Sequence, residues 1–188
     1  MIITIARQYG CGALAIGKML GAAYGIPFYT RKGLLEMARA EGVLEEMDDF
    51  FEERPVDELL FAISALGHSE GPVHSRALDI LSDMIGQRNC IIIGRCGNYI
   101  FRRRADLVSV FLKGREEERV RAVAAEQGIG MTEAREIVRD MDDSRVRYHR
   151  YYTHLQWGNY DLCFDSVRLG AERSVALIRQ YIEGIGIK

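Results

Sequence analysis

Residues 1–24 read MIITIARQYGCGALAIGKMLGAAY, and the order of signals within them decides the fold. The first six residues are apolar or β-branched at nearly every position, the pattern of a central strand covered on both faces. That run stops at Arg7-Gln8-Tyr9-Gly10-Cys11-Gly12, a polar stretch with two glycines. Beyond it Ile16, Leu20 and Ala23 recur at helical spacing. Strand, glycine loop and helix in this order open a βαβ unit. Such a loop gathers successive backbone N–H groups and the positive end of a helix around one small volume, which suits a phosphate. Glycine at positions 10 and 12 allows positive φ and close approach of another group. A plain strand-to-helix turn is the competing reading, and glycine alone would favour it.

Working outward, residues 25–29 supply a turn and a brief second strand. Residues 33–66 are helical in pattern, and between Glu41 and Glu58 nine acids face a single base, Arg54, which predicts a solvent-exposed inserted segment. A helix over about residues 75–86 precedes Cys90-Ile91-Ile92-Ile93-Gly94, a strand apolar throughout. Residues 107–112 repeat that character, and residues 115–127 form a charged helix. Thr132 can cap a further helix running towards Tyr152. Residues 160–165 are a last strand, after which Asp165 with Ser166 can begin a turn or cap, and a helix runs to about Gly184. Alternating strands and helices, several strands apolar throughout, specify a three-layer α/β sandwich with a mostly parallel sheet.

The chain of 188 residues has 48% hydrophobic and 28% charged residues and three prolines, which excludes disordered and low-complexity classes and leaves room for one domain. With 25 basic and 27 acidic residues its net charge is −2, so no general affinity for duplex nucleic acid is implied. No apolar run is long enough to cross a membrane and no signal peptide is visible, so the expected location is cytoplasmic. Cys11, Cys90, Cys96 and Cys163 form no CxxC pair and do not join the histidines in a zinc spacing. Reduced thiols are expected, with a nucleophilic Cys11 or Cys96 as the sharper alternative.

Three registers compete for the glycine loop. The literal pattern G-x-x-x-x-G-K runs from Gly12 to Lys18, but it continues into Met19, has no hydroxyl, and puts its lysine well inside the helix. Gly10-Cys11-Gly12-Ala13-Leu14-Ala15 fits the dinucleotide pattern G-x-G-x-x-A, yet Thr30, Arg31 and Lys32 stand where an acid would hold a ribose, so a nicotinamide dinucleotide is the weakest option. The third register takes residues 7–14, directly after the strand.

In that register the chain resembles the cytidylate kinase-like family of P-loop kinases. The matching stretches are ITIARQYGCG (3–12), GIPFYTRKGL (25–34), CIIIGRCGNYIFRR (90–103), VFLKGREEERV (110–120), SRVRYHRYYTHLQWG (144–158) and NYDLCFDSVRLG (159–170). They span nearly the whole chain in order. The resemblance implies a three-layer α/β/α P-loop NTPase fold with a five-stranded parallel sheet. It further implies an acceptor-binding helical insertion at about 33–70 and a helical lid at about 128–158. The activity implied is transfer of the ATP γ-phosphoryl group to CMP or dCMP with Mg2+. Its partners would then be a nucleoside triphosphate and a nucleoside monophosphate.

Under this reading Gly10, Cys11, Gly12, Ala13 and Leu14 bind the ATP phosphates. Ala13, Leu14 and Ala15 depart from the family, which carries a glycine, an arginine and a glutamate there, and Thr30 stands where an aspartate is common. The departures remove a cation and a likely metal contact, so a weakened nucleotide-binding protein with a sensing or interaction role is the alternative to a kinase. Phosphoryl transfer needs charge stabilisation, for which the guanidinium fork is suited. Arg147 and Arg150 share a helix face with His154, whereas Arg145 points elsewhere; these three arginines are the candidate catalytic residues. Their bland reading is a solvated face, since Arg139, Asp143 and Arg147 are spaced to pair. Arg95 follows Gly94 at the carboxyl end of a central strand, where ligands of parallel sheets collect, and is the candidate acceptor ligand. A structural ion pair is its competing role. The Tyr148, Tyr151, Tyr152 and Trp157 cluster reads as packing.

Overall fold

The computed structural model describes residues 1–51, 72–153 and 159–187. Its sheet contains β1 (Ile2–Arg7), β2 (Phe28–Tyr29), β3 (Cys90–Ile93), β4 (Leu107–Lys113) and β5 (Leu162–Asp165). The strands lie in the order β2-β3-β1-β4-β5 and every pairing is parallel. The sequence led to this arrangement, because β1 and β3 are apolar at nearly every position and sit at the centre. Their alternation splits the core in two. Ile2, Cys90 and Ile92 join one cluster, while Ile3, Ile5, Ile91 and Ile93 join the other.

The second cluster is covered by α1 (Ala13–Tyr24) and α8 (Ser166–Gly184) through Ile16, Leu20, Val175, Ile178 and Ile182. Asp165 caps α8, its carboxylate accepting from the Arg168 N–H at 3.1 Å, as expected. On the other face lie α2 (Arg31–Ala40), a 3-10 turn (Leu44–Met47), α3 (Asp48–Phe51), α4 (Pro72–Ile85) and α5 (Gly97–Ile100). The remaining pair, α6 (Glu116–Gln127) and α7 (Met131–Thr153), share a small core of Val120, Val123, Ala134 and Val138.

Two expectations are corrected. The described part of 33–66 is helical, as read, but in pieces: α2 ends at Ala40, Gly42 takes φ 74°, and the Val43 N–H turns back to the Ala38 carbonyl. That part is not simply solvent-exposed, since Met47, Phe50 and Phe51 are at most 1% exposed. The apolar residues scattered among the acids were the missed signal. Residues 52–71 of that segment, with Arg54, lie outside the described residues. Thr132 stands inside α7 instead of capping it, and the Gly130 carbonyl takes the Ala134 N–H. Among the described residues no helix is long and apolar enough to cross a membrane.

Candidate functional site

Gly10 and Gly12 take φ 81° and 66°, the left-handed values their glycines were read to allow. At Gly10 the backbone also comes close to α6, where a Cβ would lie 3.0 Å from the Arg119 carbonyl. Gly12 is the N-cap of α1 and has no side chain with which to cap it. Ala13 is buried, whereas Leu14 is 54% exposed. Cys11 is buried and its carbonyl accepts from the Ser166 hydroxyl at 2.9 Å. Burial pushes the Cys11 thiol up to about 11 and the Cys96 thiol up to about 12. Both are protonated at neutral pH, against the cysteine-nucleophile alternative.

The loop is tied to α6 and α7 through Tyr9. Asp142 of α7 accepts from the Tyr9 N–H at 2.6 Å, Arg119 of α6 donates to the Tyr9 carbonyl at 3.0 Å, and Gln127 donates to the phenol oxygen at 3.0 Å. The Arg145 guanidinium lies 5.1 Å from the centre of the Tyr9 ring, a cation–π distance.

Beside the loop, at the carboxyl edge of β1 and β3, is a cavity of about 90 Å³. Arg7, Arg31, Arg95 and Arg145 all line it, and among its described lining residues there is no carboxylate. Four cations around a small volume repel one another and favour an anion between them. Each comes from a different element. Arg7 ends β1 and Arg31 begins α2, while Arg95 follows β3. Arg7 lies directly over Gly94, so a Cβ there would fall 2.4 Å from its Nη1.

Arg95 is buried, at 9% exposure, and donates to the Phe50 carbonyl at 3.0 Å. Its guanidinium stands 4.9 Å from the Tyr148 ring centre, and the Tyr148 hydroxyl donates to the same carbonyl at 2.8 Å. Arg31 donates through Nε to the Phe51 carbonyl. Two of the four arginines thus donate to the carbonyls of the last two described residues of α3, which anchors that segment at the cavity. Both Arg95 and Cys96 are left-handed, at φ 55° and 56°, a strain that a non-glycine residue bears only where its surroundings enforce it.

Of the three candidate catalytic arginines, the structure brings only Arg145 to the cavity. Met141, Ser144, Arg145, Tyr148 and His149 line it, one face of α7 at helical spacing, while Arg147 and Arg150 are not among the lining residues. Arg145 lies on a different face of α7 from Arg147 and Arg150, as read, and it is the Arg145 face that meets the cavity. The pairing of Arg139 with Asp143 gives way to contact with Glu116 at 2.9 Å. Tyr148 and Tyr152 pack with Phe50, as expected, and His154 and Trp157 lie outside the described residues. In the run 102–104, Arg102 and Arg103 are exposed, but Arg104 grips Asp106 through two hydrogen bonds of 2.8 and 2.7 Å.

Sequence reading missed Arg7 and Arg31 as cavity residues. The signal was available, because both sit at the carboxyl ends of strands, as Arg95 does. It also missed the hold of Arg119 and Asp142 on Tyr9, for which no local signal exists. A larger cavity of about 520 Å³ lies at the opposite edge, beside Gly86 and Arg104, and mixes Asp79 and Asp83 with Arg102 and Arg103. Its mixed charge selects no ligand class.

The ATP phosphates that the resemblance implies would lie at the glycine loop, where Gly10 and Gly12 are left-handed. Mg2+ finds no ligand there, since Ala13, Leu14 and Ala15 have no side-chain oxygen. Among the described residues no group of three or more His, Cys, Asp or Glu side chains is placed to hold a metal.

Residues 2–168 match the family described as the cytidylate kinase-like family. No curated protein matches the chain. Among solved structures, an uncharacterized protein from Eubacterium ventriosum is similar with a TM-score of 0.74 at 22% identity, over 97% of this chain and 98% of that one. Shikimate kinase from Bacteroides thetaiotaomicron has a TM-score of 0.54 at 16% identity, over 97% and 98% of the two chains. A gluconokinase from Sinorhizobium meliloti has a TM-score of 0.54 at 12% identity, over 97% and 94%. At these identities the likeness concerns the fold, which is that of the P-loop kinases.

Proposed function

The chain belongs to the cytidylate kinase-like family, and we propose that it transfers the γ-phosphoryl group of ATP to a nucleoside monophosphate, CMP or dCMP. The observation that carries this reading is the cavity with four arginines and no described carboxylate at the carboxyl edge of the sheet. Phosphoryl transfer asks little covalent chemistry of a protein and much charge stabilisation, because negative charge spreads over the transferring oxygens. In this proposal Arg95 and Arg7 hold the acceptor phosphate, with Arg95 fixed by the Phe50 carbonyl and the Tyr148 ring. Arg145, carried by the lid helix, stabilises the group in transit. The amides of residues 10–14 hold the donor phosphates. The insertion at 33–70 contributes to the acceptor side through α3, and the lid at 128–158 contributes α7. Arg147 and Arg150, which do not line the cavity, are not assigned to the transferring group in this proposal.

Arg95→Ala tests the reading in a coupled assay across nucleoside monophosphates. The expected result is a fall of about 10²- to 10³-fold in kcat/KM, as for loss of one preorganised donor, with the circular dichroism spectrum unchanged. The substituted loop, Ala13-Leu14-Ala15, favours a second reading, a nucleotide-binding protein with weakened catalysis. Tight nucleotide binding by the unaltered protein, with no product for any monophosphate, would select that reading.

A further inference from the structure

Arg119 is a charged group in a place that needs an explanation. Its side chain is 5% exposed, and a guanidinium so deeply buried is tolerated only when its charge and N–H groups are met. Nε donates to the Gly114 carbonyl at 3.0 Å, and Nη1 donates both to the Tyr9 carbonyl at 3.0 Å and to Asp142 at 2.6 Å. Among the described residues no protein acceptor takes Nη2.

The other oxygen of Asp142 accepts from the Tyr9 N–H at 2.6 Å. One carboxylate therefore bridges a backbone amide and a guanidinium immediately before Gly10. Two oxygens on one centre, bound by an amide and an arginine, is also how a phosphate is gripped. The loop itself lacks a lysine, since Ala13 and Leu14 occupy the positions where a cation belongs. Arg119 lies against that loop closely enough for its charge to oppose the upward push of burial on the Cys11 thiol.

We propose that Arg119 supplies the cation missing from the phosphate loop, and that Asp142 is an internal anion which holds its place until an incoming polyphosphate displaces it. The choice of a polyphosphate rests on the phosphoryl-transfer reading above. Entry of the anion would release the Tyr9 amide and free α7 to reposition, and the same displacement would open Nη2 to a further phosphate oxygen. A pair that merely fastens α7 to α6 makes the opposite forecast, because weakening it would loosen the site and lower its affinity for anions.

The sign of one binding change separates the two. Isothermal titration with inorganic tripolyphosphate, without metal, is to be run on the unaltered protein, Asp142→Asn, Arg119→Gln and Arg119→Lys. Asparagine keeps the shape and an oxygen for the Tyr9 amide while removing the competing charge. Asp142→Asn should bind about tenfold tighter than the unaltered protein, Arg119→Gln at least about tenfold weaker, and Arg119→Lys in between. Equal or weaker binding by a folded Asp142→Asn protein, or no binding by any form, overturns the proposal. If Arg119→Gln fails to fold, Asp142→Asn decides alone. A phosphotransfer assay on the unaltered protein stays separate: tightening without turnover leaves this proposal standing and removes the kinase, while turnover without tightening does the reverse.

Discussion

Gly94, Arg95 and Cys96 follow one another with φ of 80°, 55° and 56°, so the chain leaves β3 through three left-handed residues in a row. For Arg95 and Cys96 this costs roughly 1–2 kcal/mol each, and the structure supports it by binding Arg95 to the Phe50 carbonyl and burying Cys96. The turn brings Arg95 to the cavity, and the absence of a Cβ at Gly94 lets Arg7 lie across it. Gly94→Ala is therefore expected to destabilise the protein by about 1–2 kcal/mol from φ alone, and in addition to displace Arg7. Thermal unfolding and the KM for the acceptor should both report it. Gly25→Ala is the control, since Gly25 takes φ 63° with open space around its Cβ position. It should lower stability and leave the KM unchanged.

At the scale of elements, α1 must lie close to the sheet for its N-terminus to meet the loop. Gly17 makes this possible: a Cβ there would fall 2.4 Å from a ring carbon of Phe28 and 3.1 Å from Ile93 Cδ1. Alanine would gain about 1 kcal/mol in helix propensity, but overpacking a buried contact costs about 1–3 kcal/mol. The clash should win, and Gly17→Ala is expected to melt lower than the unaltered protein. Adding Phe28→Leu should return part of the loss, a coupling that a double-mutant cycle measures directly. An equal or higher melting temperature for Gly17→Ala alone would show that the ring moves aside freely.

Over the whole molecule, three arginines on the sheet side and one on α7 surround a space too small and too cationic to be content without an anion. A ligand that binds only the folded form stabilises it by about 2.7 kcal/mol at a concentration one hundred times its Kd. For a chain of this length that is a rise of roughly 5–10 °C in Tm. CMP or tripolyphosphate should produce such a rise, and 0.5 M sodium chloride should erode it, because screening shortens the reach of exposed charges. An uncharged nucleoside should do far less. A shift equal for nucleoside and nucleotide would mean that the arginines do not govern binding.

The chain alone determined the layers, the run of parallel strands, the two left-handed glycines, the Asp165 cap and the position of Arg95. Each follows from signals within a few residues: apolar runs, helical spacing, a capping carboxylate, an arginine at the end of a strand. Tertiary structure decided the rest. On α7 Arg145 falls in register with Ala134, Val138, Met141 and Tyr148, but arginines also stand at 139, 147 and 150 on other faces, so the packing of that stripe decided which of them meets the cavity. The burial of Phe50 and Phe51 likewise depends on Arg31 and Arg95 reaching their carbonyls from other elements. The grip on Tyr9 joins residues 110 and 133 positions apart, and a contact made across that distance exists only once the chain has closed on itself.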